Sequence, residues 1–264
     1  MSESPDFYKQ CTTGISYPVG DLFGYPDSLI RGRVAAAYKH ALSGLQNKKV
    51  MDVLDFGSGR GHGVAAIQQA LKPKLLVSLD TEQTYLDVAQ SPLHKYKNIR
   101  FICTDNLSSF KDNSFDLIFC MHVIEHIIKP ELLLRDFYRI LRKGGVLIIA
   151  TPDKNNLVGV SPYNEHVFDR QELKDTLEKI GFLTSKIKYI VADQIAFQVH
   201  RRKQWLADYQ PDSVKIRDKI VTPDIWDAMV LRSGITTNPL TEANFPLSLD
   251  YSERVIDFLV STSK

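Results

Sequence analysis

The chain predicts an α/β protein: a Rossmann-like, doubly wound, mostly parallel sheet of seven strands with an antiparallel edge, plus a C-terminal extension. Three observations carry this reading. Strand-like and helix-like segments alternate through the middle of the chain. The strand candidates are short and apolar on both faces, as strands covered by helices on either side must be. Finally, Val53-Leu54-Asp55-Phe56-Gly57-Ser58-Gly59-Arg60-Gly61 joins the first strand to the first following helix through glycines at alternate positions. Glycine serves there because the backbone must take positive φ or lie close against another group.

Taken in order, residues 1–26 are rich in turn formers and aromatics (Tyr8, Tyr17, Phe23 and Tyr25 among them) and read as a lid-like loop segment. Asp27 or Ser28 caps a helix running to about Leu45, with Ile30, Val34, Ala37 and Ala41 at helical spacing. The strand candidates are Val50–Asp55, Leu75–Asp80, Ile99–Thr104, Phe115–Met121 and Val146–Thr151. Between and after them lie helix candidates Gly61–Leu71, Glu82–Ala89, Lys129–Leu141 and Arg170–Ile180. Lys143-Gly144-Gly145 stops a helix and starts a strand. Ile187–Val191 and Ile195–Arg201 read as an antiparallel pair at one sheet edge. The alternating α/β region thus spans 27–201. Residues 202–264 read as a mixed helical extension, with a helix start at Thr222-Pro223-Asp224 and a last helix from Asp250 or Ser252 through Val260.

Composition bounds the partners. Hydrophobic content of 44% and charged content of 24% over 264 residues suit a globular core, and a net charge of +2 gives no default attraction to nucleic acid or an anionic membrane. Cys11, Cys103 and Cys120 form no disulfide framework or zinc spacing, which fits a reducing cytoplasm. No signal peptide and no apolar run of membrane-spanning length is evident.

In an open parallel sheet, ligands bind beyond the carboxyl ends of the strands, where strand order reverses. Four strand ends here carry ligand-like groups. The glycine turn follows the first strand, and Asp80 closes the second, where an acid commonly accepts hydrogen bonds from ribose hydroxyls. Asp105-Asn106 follows the third and suits the amino group and ring nitrogen of an adenine, and His122 onward follows the fourth.

In this order and spacing, the groups resemble class I S-adenosylmethionine-dependent methyltransferases over roughly residues 27–201, notably the type 11 methyltransferases. The resemblance implies S-adenosylmethionine as cofactor, held at the turn by Asp55, Gly57, Ser58, Gly59 and Gly61. It makes Asp80 and Thr81 ribose contacts, Asp105 and Asn106 adenine contacts, and Met121 a contact at the fourth strand tip. Ser114–Ile118 and Leu141–Gly145 also look like family landmarks, with structural roles. The competing ligand is a nicotinamide or flavin dinucleotide. Its GxGxxG turn would need a third glycine where His62 stands, and it gives Asp105-Asn106 no task.

A second constellation is Cys120-Met121-His122-Val123-Ile124-Glu125-His126. In a helical turn, His122, Glu125 and His126 share a face. Pro162-Tyr163-Asn164-Glu165-His166-Val167-Phe168 follows the fifth strand and returns to the same rim. One reading is a divalent metal held by His122, Glu125, His126 and His166, with histidine-rich ligation favouring manganese, iron, cobalt or zinc over magnesium. This pattern partly resembles the small-RNA 3′-terminal 2′-O-methyltransferases, which usually have an acid where this chain has His122. In the other reading, His122, His126 or His166 is a general base, since imidazole titrates near neutral pH. The expected activity is methyl transfer to an oxygen, less readily a nitrogen, of a small-molecule or glycan-like acceptor. RNA 3′-end methylation and a non-catalytic cofactor-binding module are the alternatives.

Overall fold

A computed structural model describes residues 28–45, 52–156, 164–184, 187–199, 240, 242–252 and 254–264. The aromatic N-terminal segment, Trp205, Trp226 and the helix expected from Thr222 lie outside the described residues. In chain order the elements are α1 (Ser28–Ser43), β1 (Asp52–Phe56), α2 (His62–Leu71), β2 (Leu75–Asp80), α3 (Gln83–Leu93), β3 (Ile99–Cys103) and β4 (Phe115–Met121). There follow α4 (Pro130–Ile140), β5 (Leu141–Pro152), α5 (Arg170–Ile180), β6 (Leu183–Thr184), β7 (Lys188–Val191), β8 (Leu247–Ser248) and β9 (Val255–Ser263).

Along the sheet the order is β3-β2-β1-β4-β5-β9-β7-β8, with β6 also pairing β9. The first five strands pair in parallel. β9 runs antiparallel to β5, β6 and β7, and β7 is antiparallel to β8. Strand order reverses between β1 and β4, so a crevice is expected above the tips of these two strands.

Side chains of the central strands alternate between two apolar layers, which is the two-residue period of a strand buried on both faces. Leu54, Ile118, Cys120, Leu147 and Ile149 face one layer, where Leu133, Phe137, Leu173 and Leu177 of α4 and α5 join them. Val53, Leu117, Phe119, Ile148 and Ala150 face the other, against Val34 and Ala37 of α1 and Val64 and Ile67 of α2. In α4 the buried residues Leu133, Leu134, Phe137 and Ile140 recur at helical spacing, which is why this helix is legible from sequence.

Three expectations are corrected. The sheet has nine strands among the described residues rather than seven. The segment expected as a last helix through Val260 is instead β9, inserted between β5 and β7. Its run Val-Ile-Asp-Phe-Leu-Val is rich in residues that suit a pleated surface, with Phe258 and Val260 in one apolar layer and Leu259 in the other. The strand expected at Ile195–Arg201 is helical over residues 194–199, its start tied by the Ala196 N–H donating to Asp193 Oδ1 (2.8 Å). The antiparallel partner of β7 is therefore β9.

Candidate active site

The glycine turn is fixed from below and open from above. The N–H groups of Gly57 and Ser58 both donate to Leu79 O (2.8 and 3.0 Å). Gly57, Gly59 and Gly61 all have positive φ. A Cβ on Gly57 would stand 2.3 Å from Val123, and one on Gly61 2.6 Å from Ala89 Cβ, so these two glycines permit close packing. A Cβ on Gly59 would meet nothing within 4 Å, so there the bare backbone faces open space. Ser58 and Ser78 share a 2.7 Å hydrogen bond beneath the turn.

Asp80 ties the tip of β2 to this turn. Its Oδ2 accepts from Gly59 N–H (2.8 Å) and its Oδ1 from Glu82 N–H (3.0 Å). Burial raises its pKa; the N–H groups of Glu82, Gly59 and Thr81 oppose that rise. The Thr81 carbonyl accepts from Cys103 Sγ (3.3 Å), joining the tips of β2 and β3. Asp55 is wholly buried: Tyr38 O–H donates to Oδ1 (2.8 Å), and Oδ2 has no hydrogen-bond partner. Burial pushes its pKa up to about 7 against the pull of the Tyr38 hydroxyl, with the charge of Asp80 adding to the rise.

Asp105 is buried after β3. Asn106 Oδ1 accepts from Ser108 N–H (2.8 Å) and caps the 3₁₀ turn Leu107–Ser109, so this oxygen is already engaged by the protein. Met121 is buried in the α1-side layer.

The exit of β4 is more constrained than a helical turn. His122 has left-handed backbone (φ 56°), and its N–H donates to Ala150 O (2.8 Å). Its ring lies between two carboxylates: Nδ1 is 3.7 Å from Glu125 Oε1, and Nε2 is 3.7 Å from Asp257 Oδ2. Nε2 is shielded from solvent and has no hydrogen-bond partner. A 3₁₀ turn, Ile124–His126, follows. Glu125 is buried; Thr151 Oγ1 donates to its Oε2 (3.2 Å). Burial opposes its charge, but polar contact with His122 and the nearby His126 and His122 outweigh it and hold its carboxyl below the ordinary value. On the far side, the Arg33 guanidinium grips Asp257 with two hydrogen bonds, Nε reaching Oδ2 at 2.6 Å and a terminal nitrogen reaching Oδ1.

His166 is brought to this rim by its backbone, since the N–H groups of Glu165 and His166 both donate to Glu125 O (2.8 and 3.1 Å). Its side chain is engaged elsewhere: Nε2 pairs with Glu172 Oε1 (2.8 Å), and the ring packs edge-on against Phe168. Among the described residues, no group of three or more His, Cys, Asp or Glu side chains is arranged to hold a metal ion. The metal set expected of His122, Glu125, His126 and His166 is thus not assembled: the His166 ring is held by Glu172 in the first turn of α5, and the His122 ring is set between Glu125 and Asp257.

Arg33 and Asp257 escaped the sequence reading. Each left a signal: an arginine on the same helical face as buried Ala36 and Ala37, and a lone acid within the apolar run of β9. Neither signal identifies the other as its partner.

Comparison with known proteins agrees with this geometry. Residues 54–149 match the family model described as a methyltransferase domain, a stretch carrying the glycine turn, Asp80, Asp105 and the β4 exit. The chain belongs to the class I S-adenosylmethionine-dependent methyltransferases. This methyltransferase is 23% identical over 212 residues to the malonyl-[acyl-carrier protein] O-methyltransferase of Marinomonas sp., covering 76% of this chain and 77% of the relative. It is 31% identical over 169 residues to protein MJ0638 of Methanocaldococcus jannaschii, covering 62% and 68%. The crystal structure of the [4+2]-cyclase SpnF shares the fold of the methyltransferase, with a TM-score of 0.59 and 17% identity over 87% of this chain and 80% of that one. Among the described residues of the methyltransferase, no helix is long and apolar enough to cross a membrane.

Proposed function

We propose that the enzyme methylates a neutral hydroxyl of a small-molecule or glycan-like acceptor. The observation carrying this reading is where the charge lies. Asp55, Asp105, Glu125, Asp153 and Asp257 are the buried carboxylates among the described residues. Four of them end or follow β1, β3, β4 and β5, and Asp257 pairs with Pro152 at the same end of β5. Buried carboxylates are costly unless compensated. Arg33 meets Asp257, and the other four form a rim that fits a ligand bearing a sulfonium and an ammonium; the open backbone at Gly59 gives that ligand room to approach.

In this reading Asp80 and Thr81 hold the ribose, Asp105 and the amide nitrogen of Asn106 meet the adenine, and Asp55 Oδ2 accepts from the ammonium. Met121 and the backbone of Gly57, Ser58, Gly59 and Gly61 line the approach. When bound, the sulfonium supplies an already activated methyl group, and a hydroxyl that takes it must lose its proton. In this reading His122 or His126, on the turn whose Val123 packs over Gly57, receives that proton. Glu125 disfavours an anionic acceptor, a carboxylic acid or an RNA end, whereas the charge of Asp257 is met by Arg33. The O-methyltransferase name of the Marinomonas relative supports oxygen as the acceptor atom, although the oxygen that a malonyl group offers belongs to a carboxylate rather than a neutral hydroxyl.

The experiment joins calorimetry to an acceptor panel. S-adenosylmethionine is expected to bind the wild-type protein and to bind Asp80→Ala at least roughly 100-fold more weakly, through loss of charge-assisted hydrogen bonds. Labelled methyl is expected in neutral hydroxyl compounds and not in carboxylic acids or RNA. Unchanged affinity in Asp80→Ala removes the ribose assignment, and label in the acids or RNA removes the acceptor assignment.

A further inference from the structure

We propose that Arg139 is a positioning residue for adenine recognition: from the last turn of α4 its guanidinium fastens the segment after β3 and so sets Asp105 and Asn106 against the base. The inference rests on the reading of that pair as the adenine contacts, and deepens it. Its ground is a set of hydrogen bonds. The terminal nitrogens of Arg139 donate to Leu107 O (2.9 Å), Phe110 O (2.8 Å) and Asp112 Oδ1 (3.0 Å), while Nε donates to Asp136 Oδ1 (3.0 Å) on the same helix. The backbone completes the clasp: Asn113 N–H donates to Arg139 O (3.1 Å), and Ser114 N–H donates to Ile140 O (2.7 Å). Arg139 thus meets the loop between β3 and β4 from Leu107 through to Asn113.

The two carbonyls that accept from the guanidinium bracket the 3₁₀ turn Leu107–Ser109. That turn is capped by Asn106, whose Oδ1 accepts from Ser108 N–H (2.8 Å), while the Asn106 N–H donates to Thr104 Oγ1 (3.0 Å). With its oxygen engaged by the cap, the Asn106 side chain has its nitrogen left to donate to a base. Adenine offers an acceptor at N1 beside a donor at its 6-amino group, so the Asn106 nitrogen and the Asp105 carboxylate match it in order. A base with a 6-oxo group and a hydrogen on N1 reverses that pattern and mispairs with both. Selectivity therefore depends on the turn, and the turn on Arg139. A guanidinium serves here because its planar fork reaches several acceptors at once, whereas an ammonium is a point charge. The bond to the mostly exposed Asp112 adds little; those to the Leu107 and Phe110 carbonyls are part-buried and satisfy backbone acceptors.

Calorimetry on the full chain with two probes tests this: S-adenosylhomocysteine, and S-inosylhomocysteine, which carries the 6-oxo base. The wild-type protein is expected to prefer the adenine probe by about 100-fold, the effect of two mispaired hydrogen bonds. Arg139→Gln should weaken S-adenosylhomocysteine by about 10-fold and S-inosylhomocysteine by less than about twofold, so that the preference shrinks. A preference that survives Arg139→Gln intact, or equal weakening of both probes, overturns the proposal and leaves the adenine contacts standing. No preference in the wild-type protein overturns the adenine assignment and the proposal with it, while leaving methyl transfer itself standing. If Arg139→Gln fails to fold, Arg139→Lys replaces it: a point charge in place of the fork should cut the preference by about threefold, and an unchanged preference overturns the proposal. Amide hydrogen exchange in the ligand-free protein provides a readout independent of binding. The Ser108 N–H, donor in the Asn106 cap, should exchange about 10-fold faster in the variant than in the wild type. An unmoved rate overturns the proposal.

Discussion

Asp55 is protonated in the folded protein at pH values where the unfolded chain would release the proton. Its folded pKa of about 7 lies above the ordinary 3.8, so between these values the native state holds a proton that the unfolded state does not. The associated stability is fully present below pH 4 and is lost as pH rises through 7. Asp55→Asn is therefore expected to raise the Tm of the ligand-free protein above pH 7 and to flatten its decline between pH 5 and 9, as thermal melts across that range would report. At this scale the sequence revealed the residues that sit in the glycine turn and at strand tips, because local chain geometry fixes their place. It hid the Arg33–Asp257 pair, whose members lie 224 residues apart and are joined only by the sheet.

Individual elements tell two kinds of glycine apart. Gly63, in the first turn of α2, has its Cβ direction blocked by the Tyr38 ring at 2.1–2.4 Å, and that same ring carries the hydroxyl bonded to Asp55. Gly63→Ala must displace Tyr38, with an expected loss of about 1–3 kcal/mol in chemical denaturation. Gly59→Ala meets open space, so its cost is the positive φ alone, roughly 1 kcal/mol. In calorimetry it is expected to abolish S-adenosylmethionine binding, because the methyl occupies the approach to the backbone. The helices α2, α4 and α5 were legible because each shows one apolar face at helical spacing. β9 was misread because six largely apolar residues fit a buried strand and a short helix alike, and only its place between two other strands decides.

Across the molecule, the sheet reaches completion through its last strand in sequence. β9 pairs with β5 over Val146–Pro152 and with β6 and β7 on its other side, joining the parallel half to the antiparallel half. Deleting residues 255–264 should therefore abolish cooperative unfolding rather than trim an appendage. Circular dichroism melts would check this; a retained sharp transition near the wild-type Tm would show the parallel half to be self-sufficient. The doubly wound architecture was legible because alternating strands and helices admit few topologies. The closing strand was not, because its partners are distant in the chain.

The position of β9 also bears on synthesis. While a nascent chain emerges, the strands up to β7 are available early, yet the slot beside β5 stays unfilled until the segment bearing Asp257 leaves the ribosome. Pairings between sequence-distant segments form slowly, and an unsatisfied sheet edge is open to wrong partners in the interval. Completion of the sheet is therefore expected to wait until β9 has emerged, in the same event that brings the Asp257 carboxylate beside His122.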